Sequence, residues 1–177
     1  MSYGFHYLQG KNQTRVVKLQ KKVLQLVMSL KWGDDEKDVS VEWIILHLAT
    51  ASQLAHLLAL KRGKSGADLE LARVAGMLHD IGLLVNMGME HKHAVNGYEK
   101  AKEILREVSG FSDEEIGLIA NAVAKHSEKD KIGNWLEELM KDTDVLDCTL
   151  HGSDFSPFEH HFKRVKSIEK ELGIKLT

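Results

Sequence analysis

Histidine and aspartate side chains recur along this chain within or at the ends of apolar helical runs. The adjacent pair His79-Asp80 ends one such run and is followed by Ile81-Gly82. Imidazole nitrogens and carboxylate oxygens are metal ligands, and the carbonyl end of a helix favours a cation. A single His-Asp dipeptide is common, so the prediction of a metal site depends on further ligand-type residues in suitable places.

Two further residues complete a predicted set of four ligands. His47 lies inside an almost wholly apolar run, and Asp144 lies in a later helical run. A buried imidazole or carboxylate needs a partner or a cation. Two nitrogens and two oxygens suit Fe, Mn, Zn, Co or Ni, whereas Ca and Mg prefer oxygen alone. The set lies on three predicted helices that could converge in a bundle interior: His47, His79, Asp80 and Asp144.

Two more histidines predict a second cation beside the first. His93 opens the helix after the His-Asp pair, and His126 ends a later helix. With Asp80 bridging, two cations ~3.5–4 Å apart can share a hydroxide and hold the attacking and leaving oxygens of phosphoryl hydrolysis. Asp80 and Lys125, beside His126, are the predicted catalytic residues, with Lys125 contacting a substrate phosphate. His91 is an alternative ligand to His93.

Each of these residues also has an ordinary structural interpretation. A single helical histidine is more often packed and hydrogen-bonded than metal-bound, and Asp142, Asp144 and Asp147 could form a solvated acidic face. The placement of all these residues together favours metal binding over the structural interpretation of each residue alone. Lys92 and Lys129 are weaker choices for the phosphate contact. The remaining histidines are expected to be ordinary helix, surface or loose-end residues: His6, His56, His151, His160 and His161.

Composition predicts one ordinary globular domain. The chain has 177 residues, a formal net charge of −2 and a single cysteine, Cys148. A charge near zero gives no electrostatic reason to expect binding to a nucleic-acid polymer. No apolar stretch is expected to reach the length of a bilayer span, and the N-terminus does not resemble a signal peptide. One cysteine excludes an internal disulfide and fits the cytoplasm. The expected partner is a small-molecule phosphate substrate, and neither a nucleic-acid polymer nor a membrane is expected as a partner. The formation of a homodimer stays open.

Helical periodicity dominates the chain, which has one proline and almost no strand-type alternation. Ser112 and Glu115 fit a capping box, and Gly82 and Gly173 are expected to end two helices. The prediction is an all-α, single-domain bundle of about seven helices. We expect an N-terminal helix in 1–40, a metal-binding domain over 41–150, and a C-terminal helix in 151–177. Helices are predicted over 14–31, 41–60, 68–80, 93–108, 112–126, 132–150 and 155–172.

The ligand order resembles that of the HD superfamily of metal-dependent phosphohydrolases. The histidines place the chain nearer the members with an H…HD…H…H…D pattern. The resemblance covers roughly residues 41–150. Four segments carry the resemblance. His47 followed by Ala51, Leu54 and Ala55 resembles the family's first helix, and the segment ARVAGMLHDIG (72–82) is similar to the family's central AALLHDIG. His93 with Gly97 and Ala101 is similar to HxxxGxxxA, and Asp144 with Leu146 and Asp147 is similar to the terminal ADxLD.

The resemblance implies an all-α fold and hydrolysis of a phosphate ester or anhydride, often in a nucleotide, with one or two divalent transition metals. Some features depart from the family. Leu83 stands where a lysine often follows, no Gly-Tyr-Pro follows the pair, and a single His126 replaces a double histidine. Two alternatives stay open: a non-catalytic regulatory or interaction module with this fold, and a di-iron oxygenase of HD type.

Overall fold

The computed structural model describes residues 13–29, 40–84 and 93–176. Within these ranges the chain forms seven α-helices and no strand, which confirms the all-α prediction. The loop expected over 33–38, together with His6, His91 and Lys92, lies outside the described residues. In chain order the helices are α1 (Arg15–Ser29), α2 (Val41–Lys61), α3 (Ala67–Leu78), α4 (His93–Val108), α5 (Asp113–Lys125), α6 (Trp135–Leu150) and α7 (Glu159–Leu172), with a 3₁₀ helix (Ile81–Leu84) before α4.

Helix α2 packs against α1, α3 and α6, and this explains why its sequence is so apolar. Its backbone comes close to α3 at Gly76, where a Cβ atom would lie 2.7 Å from the carbonyl oxygen of Ala51. By length and composition alone α2 could cross a membrane, so the expectation that no stretch reaches this length is wrong. Its face bearing Ala51, Ala55 and Ala59 is fully buried inside the bundle.

Helix α1 packs on the bundle through one apolar stripe, as its spacing predicted. Val16, Leu19, Val23 and Val27 are buried against the other helices. The start of α1 is held by Arg15, whose guanidinium donates hydrogen bonds to side chains of α3 and α5. Residues distant along the chain are thereby fixed around one core.

Gly82 does not end α3, contrary to the sequence prediction. The helix ends at Leu78, and Gly82 lies in the 3₁₀ helix. A Cβ atom at this position would overlap the carbonyl oxygen of His93 and lie 2.7 Å from the amide nitrogen of Gly97. Glycine is therefore needed here because α4 comes so close, rather than because a helix must stop.

The other predicted helix ends agree with the structure at two positions. At the start of α5 the Ser112 hydroxyl accepts from the Glu115 amide at 3.2 Å, and the Glu115 carboxylate accepts from the Ser112 amide at 2.8 Å, which completes the capping box. Gly173 follows α7 with φ of 69°, a left-handed conformation that favours glycine. Helix α7 begins at Glu159, four residues later than expected.

Candidate metal centre

Six predicted ligands converge at the centre of the bundle. They come from five segments that are far apart along the chain: the middle of α2, the residues just beyond α3, the start of α4, the residue just beyond α5, and the middle of α6. The structure places both residues of the central pair past the carbonyl end of α3, where the helix dipole favours a cation. In the order of these segments the residues are His47, His79 with Asp80, His93, His126 and Asp144.

The first group of donor atoms includes the Nε2 atoms of His47 and His79, which lie 2.8 Å apart. Asp80 Oδ2 lies 3.3 Å from the former and 3.5 Å from the latter. Asp144 Oδ1 lies at 3.6 and 3.8 Å from the same two nitrogens. Ligands held at ~2.0–2.2 Å from one cation are separated by about 3–3.5 Å, so the spacings among His47, His79 and Asp80 approach those of a single metal ion, and Asp144 lies somewhat farther away.

A second group of donor atoms lies on the other side of Asp80. The Nε2 atoms of His93 and His126 are 3.2 Å apart. Asp80 Oδ1 lies 3.3 Å from the first and 3.1 Å from the second. Each oxygen of one carboxylate therefore faces one pair of imidazoles, and this arrangement could bridge two cations.

The hydrogen bonds of the imidazoles show that a cation fits between them. His79 Nδ1 lies 2.9 Å from the carbonyl oxygen of Gly76, and His126 Nδ1 lies 2.7 Å from that of Val123. A carbonyl oxygen only accepts, so each Nδ1 carries a proton and the lone pair of neutral imidazole is on Nε2. Each of these Nε2 atoms faces another imidazole and a carboxylate, and imidazole with carboxylate suits a divalent transition metal.

Burial and nearby charges set the protonation of the first group. His79 is 1% exposed, and burial lowers its pKa to about 4, so the ring is neutral and ready to bind a metal. Burial also lowers the pKa of His47, but its hydrogen bonds to Asp147 and Asp80 prevail and raise it to about 10. Without a metal, a proton on His47 thus supplies the positive charge that the carboxylates attract.

The two carboxylates of the cluster are ionised. Burial opposes this, but the charge of Lys129 holds the pKa of Asp144 well below its usual range. The pKa of Asp80 is likewise held well below its usual range despite burial, because the imidazoles of His79, His126 and His47 lie around it. Ionised carboxylates are the form that binds a metal.

The structure places Lys129, rather than Lys125, against this cluster. Lys129 Nζ is buried and donates to Asp144 Oδ2 at 2.5 Å and to the His126 carbonyl oxygen at 2.7 Å. The side chain of Lys125 is 47% exposed, and its Nζ lies 3.3 Å from a carboxylate oxygen of Glu137. A role for Lys125 in binding substrate stays a prediction. Lys129 lies between helices, so no helical spacing singled it out.

Two residues contact the ligand His47 in a way that the sequence analysis did not predict. Asp147 is 0% exposed, so it is not part of a solvated acidic face, and its Oδ2 lies 2.5 Å from His47 Nδ1. Trp43 stacks on the His47 ring with 4.4 Å between centroids. His151, which is exposed as expected, lies 3.1 Å from Asp147 Oδ2 with its Nδ1. The spacing of Asp147 three residues after Asp144 was the available signal, because residues three apart share a helix face.

Cys148 also lies beside the first group. Its thiol donates to Asp144 Oδ1 at 3.6 Å. Burial and the charges of nearby aspartates, Asp144 first among them, raise the pKa of this thiol well above its usual range. Without a metal, Cys148 is thus a weak hydrogen-bond donor to a candidate ligand.

The six clustered residues all lie within a stretch that matches a known protein family. The family model described as HD domain matches residues 44–171, a range that includes all six predicted ligands. The chain belongs to the HD domain family. The predicted resemblance is therefore confirmed, and the match extends into α7, beyond the expected boundary at 150. HD domains form a superfamily of metal-dependent phosphohydrolases and bind divalent metals, and this HD domain contains His/Asp clusters able to hold one.

Curated relatives of this HD domain are ribonucleases by name. Ribonuclease Y of Clostridium perfringens is 28% identical over 158 residues, which cover 89% of this chain and 28% of the relative. Ribonuclease Y of Lawsonia intracellularis is 32% identical over 122 residues, covering 68% of this chain and 22% of the relative. The chain thus spans about a quarter of the length of these relatives. No solved structure matches it.

These relatives overturn one expectation. The prediction that no nucleic-acid polymer is a partner is wrong, because proteins named ribonuclease act on RNA. The error came from the formal net charge of −2, which lacks the excess of basic residues typical of nucleic-acid binding. In a metal-dependent enzyme the cation itself contributes positive charge at the phosphate, so the charge of the chain alone does not decide this question.

Proposed function

We propose that this HD domain hydrolyses phosphodiester bonds of RNA with one or two divalent transition metals held by the six clustered ligands. The observation that carries the proposal is the position of Asp80, whose two oxygens face two separate pairs of imidazoles at 3.1–3.5 Å. The substrate class is taken from the name of the relatives. The bond is a phosphate ester between nucleotides, which is the bond class that the sequence analysis expected.

The chemistry requires water to add across a P–O bond. The oxygen of water bonds to phosphorus, one ester bond breaks, and the released alkoxide takes up a proton, so one product ends in a phosphate and the other in a hydroxyl. A divalent cation held by these residues would lower the pKa of a bound water towards neutrality and would stabilise charge on a phosphate oxygen. His47 and His79 are themselves shielded from bulk solvent, and Lys129 holds Asp144 in place.

The charges of the site support a phosphodiester as substrate. With His47 neutral, as a metal on its Nε2 would require, three carboxylates and one ammonium (Asp80, Asp144, Asp147 and Lys129) leave two negative charges in excess, which one divalent cation would neutralise. A second divalent cation leaves two positive charges, and these match one hydroxide and one singly charged phosphodiester. A phosphate monoester carries close to two negative charges near neutral pH and fits this balance less well.

The test is hydrolysis of a short single-stranded RNA by the whole chain with added Mn²⁺, Co²⁺ or Fe²⁺. Asp80→Asn retains the volume of the side chain, and we expect at least ~100-fold slower turnover because the shared carboxylate is lost. Asp68→Asn is the matched control. It lies at the start of α3, its carboxylate is paired with Lys64 at 3.3 Å, and we expect normal turnover.

Product analysis makes the test specific. Attack by water yields no 2′,3′-cyclic phosphate, so the appearance of this product in an Asp80-dependent reaction would contradict the proposed step. Turnover of a mononucleotide but not of RNA would contradict the substrate class. A folded protein that hydrolyses neither with any of these metals would support the non-catalytic alternative.

A further inference from the structure

Asp147 is a buried carboxylate that the proposed chemistry does not use directly. It lies on α6 one helical turn after the candidate ligand Asp144, so both carboxylates face α2. Asp144 Oδ1 lies 3.6 Å from Nε2 of His47, and Asp147 Oδ2 lies 2.5 Å from Nδ1 of the same ring. One helix therefore contacts both nitrogens of one imidazole.

The environment of His47 differs from that of two other imidazoles in the cluster. Nδ1 of His79 and of His126 faces a backbone carbonyl oxygen, whereas Nδ1 of His47 faces a carboxylate. A carboxylate acceptor increases the electron density of the ring, and this strengthens the bond from the opposite nitrogen to a metal. The face of the His47 ring is fixed as well, because Trp43 stacks on it with an interplanar angle of 20°.

The partners of Asp147 indicate that its charge acts on the cluster. Its Oδ1 is buried and has no hydrogen-bond partner among the described residues. Its Oδ2 has two neighbours, His47 Nδ1 and His151 Nδ1, the second at 3.1 Å. A fully buried carboxylate with one unpaired oxygen is costly unless positive charge lies nearby. A metal on the far side of His47 would supply it.

The geometry points to Asp147 as a positioning residue that keeps the proton of His47 on Nδ1, directs Nε2 at the metal and strengthens that bond. His151 covers the same carboxylate from the solvent side, where its own side chain is 30% exposed. This inference rests on the proposed function in one respect, since both need a divalent cation at the cluster. It does not depend on which substrate is hydrolysed.

The first experiment measures cation affinity in the absence of substrate. Mn²⁺ or Co²⁺ is titrated into the whole chain against a competing chelator, with wild type and Asp147→Asn compared. We expect the dissociation constant to rise about 10–100-fold in the variant, the effect typical of losing a carboxylate behind a metal-binding histidine. The ligand-field absorption of bound Co²⁺ should also change.

Asp142→Asn is the matched control for this titration. Asp142 lies on the same helix, and its carboxylate accepts from Arg62 at 2.8 Å and from Arg164 at 2.7 Å. We expect this variant to lose stability but to bind the cation as the wild type does. If Asp147→Asn lowers stability and leaves the dissociation constant unchanged, Asp147 has only a structural role and the inference is overturned.

A second measurement needs no variant. Long-range ¹⁵N–¹H correlation spectra of the Zn²⁺-loaded wild type identify which His47 nitrogen carries the proton. We expect Nδ1–H, and a proton on Nε2 would overturn the inference even if Asp147→Asn fails to fold. Weaker metal binding by Asp147→Asn in a chain without RNA hydrolysis would support the inference and contradict the proposed function. A wild-type chain that binds no divalent cation would contradict both.

Discussion

Lys129 places a buried ammonium directly against the candidate metal centre. Its Nζ donates to Asp144 Oδ2, the oxygen opposite the one that faces His47 and His79. The ammonium therefore partly neutralises Asp144 and also fixes its orientation. A cation bound at Oδ1 would share this task, so the importance of Lys129 for stability should depend on whether the metal is present.

We predict that Lys129→Met destabilises the metal-free protein by about 3–5 kcal/mol, because it leaves a largely buried carboxylate without its partner. With saturating Mn²⁺ the loss should be smaller, since the cation then balances Asp144. Urea unfolding in chelator and in Mn²⁺ measures both values. Equal destabilisation in the two conditions would show that the ammonium and the cation do not share the same carboxylate.

At the scale of elements, α4 is positioned by the contact of its first turn with the 3₁₀ helix. Gly82 and Gly97 meet there without side chains, and the Gly97 position is also closed off by Val123 of α5, 2.8 Å from where a Cβ would lie. This contact fixes His93, the first residue of α4, beside Asp80. The second group of donor atoms thus depends on two glycines that carry no chemistry.

We predict that Gly82→Ala displaces α4, costs about 1–3 kcal/mol of stability and weakens the second cation site more than the first. Calorimetric titration with Mn²⁺ should then give fewer cations bound per chain than for the wild type. Gly117→Ala in α5 is the control, because a Cβ there meets nothing within 4 Å. It should stabilise the protein by about 0.5–1 kcal/mol. A stable Gly82→Ala variant with wild-type stoichiometry would refute the role given to this contact.

The features that the sequence predicted correctly are those that depend on local spacing. Helical periodicity located the seven helices, and the capping box at Ser112 involves residues only three apart. Gly82 was misinterpreted because its need for a missing side chain comes from α4, whose approach no local pattern records. Asp147 and Lys129 were underestimated for the same reason, since their partners are 100 and 15 residues away along the chain.

At the scale of the whole molecule, two networks of charged side chains tie distant helices together. Arg15 of α1 joins Glu70 of α3 and Glu115 of α5, each at 2.8 Å. On the other side, Arg62 beyond α2 lies 2.8 Å from both Asp142 of α6 and Glu171 of α7. The helices that carry the candidate ligands are therefore held at their ends by ion pairs as well as by the shared core.

These networks predict how stability depends on pH. A hydrogen bond from Arg15 lowers the pKa of Glu115 below its ordinary value of 4.5, and a hydrogen bond from Arg62 does the same for Glu171. A lowered pKa in the folded state stabilises the protein above about pH 4.5, and this contribution is lost as the pH falls further.

Arg15→Ala removes one of these contributions, so its free energy of unfolding should differ from that of wild type more at about pH 7 than at about pH 3. Urea unfolding across this range with metal-free protein measures the difference. Lys22→Ala, which breaks an exposed pair, should show a much smaller change. A wild-type to Arg15→Ala difference that is constant with pH would mean that Glu115 gains nothing from Arg15 and that packing alone holds α1 in place.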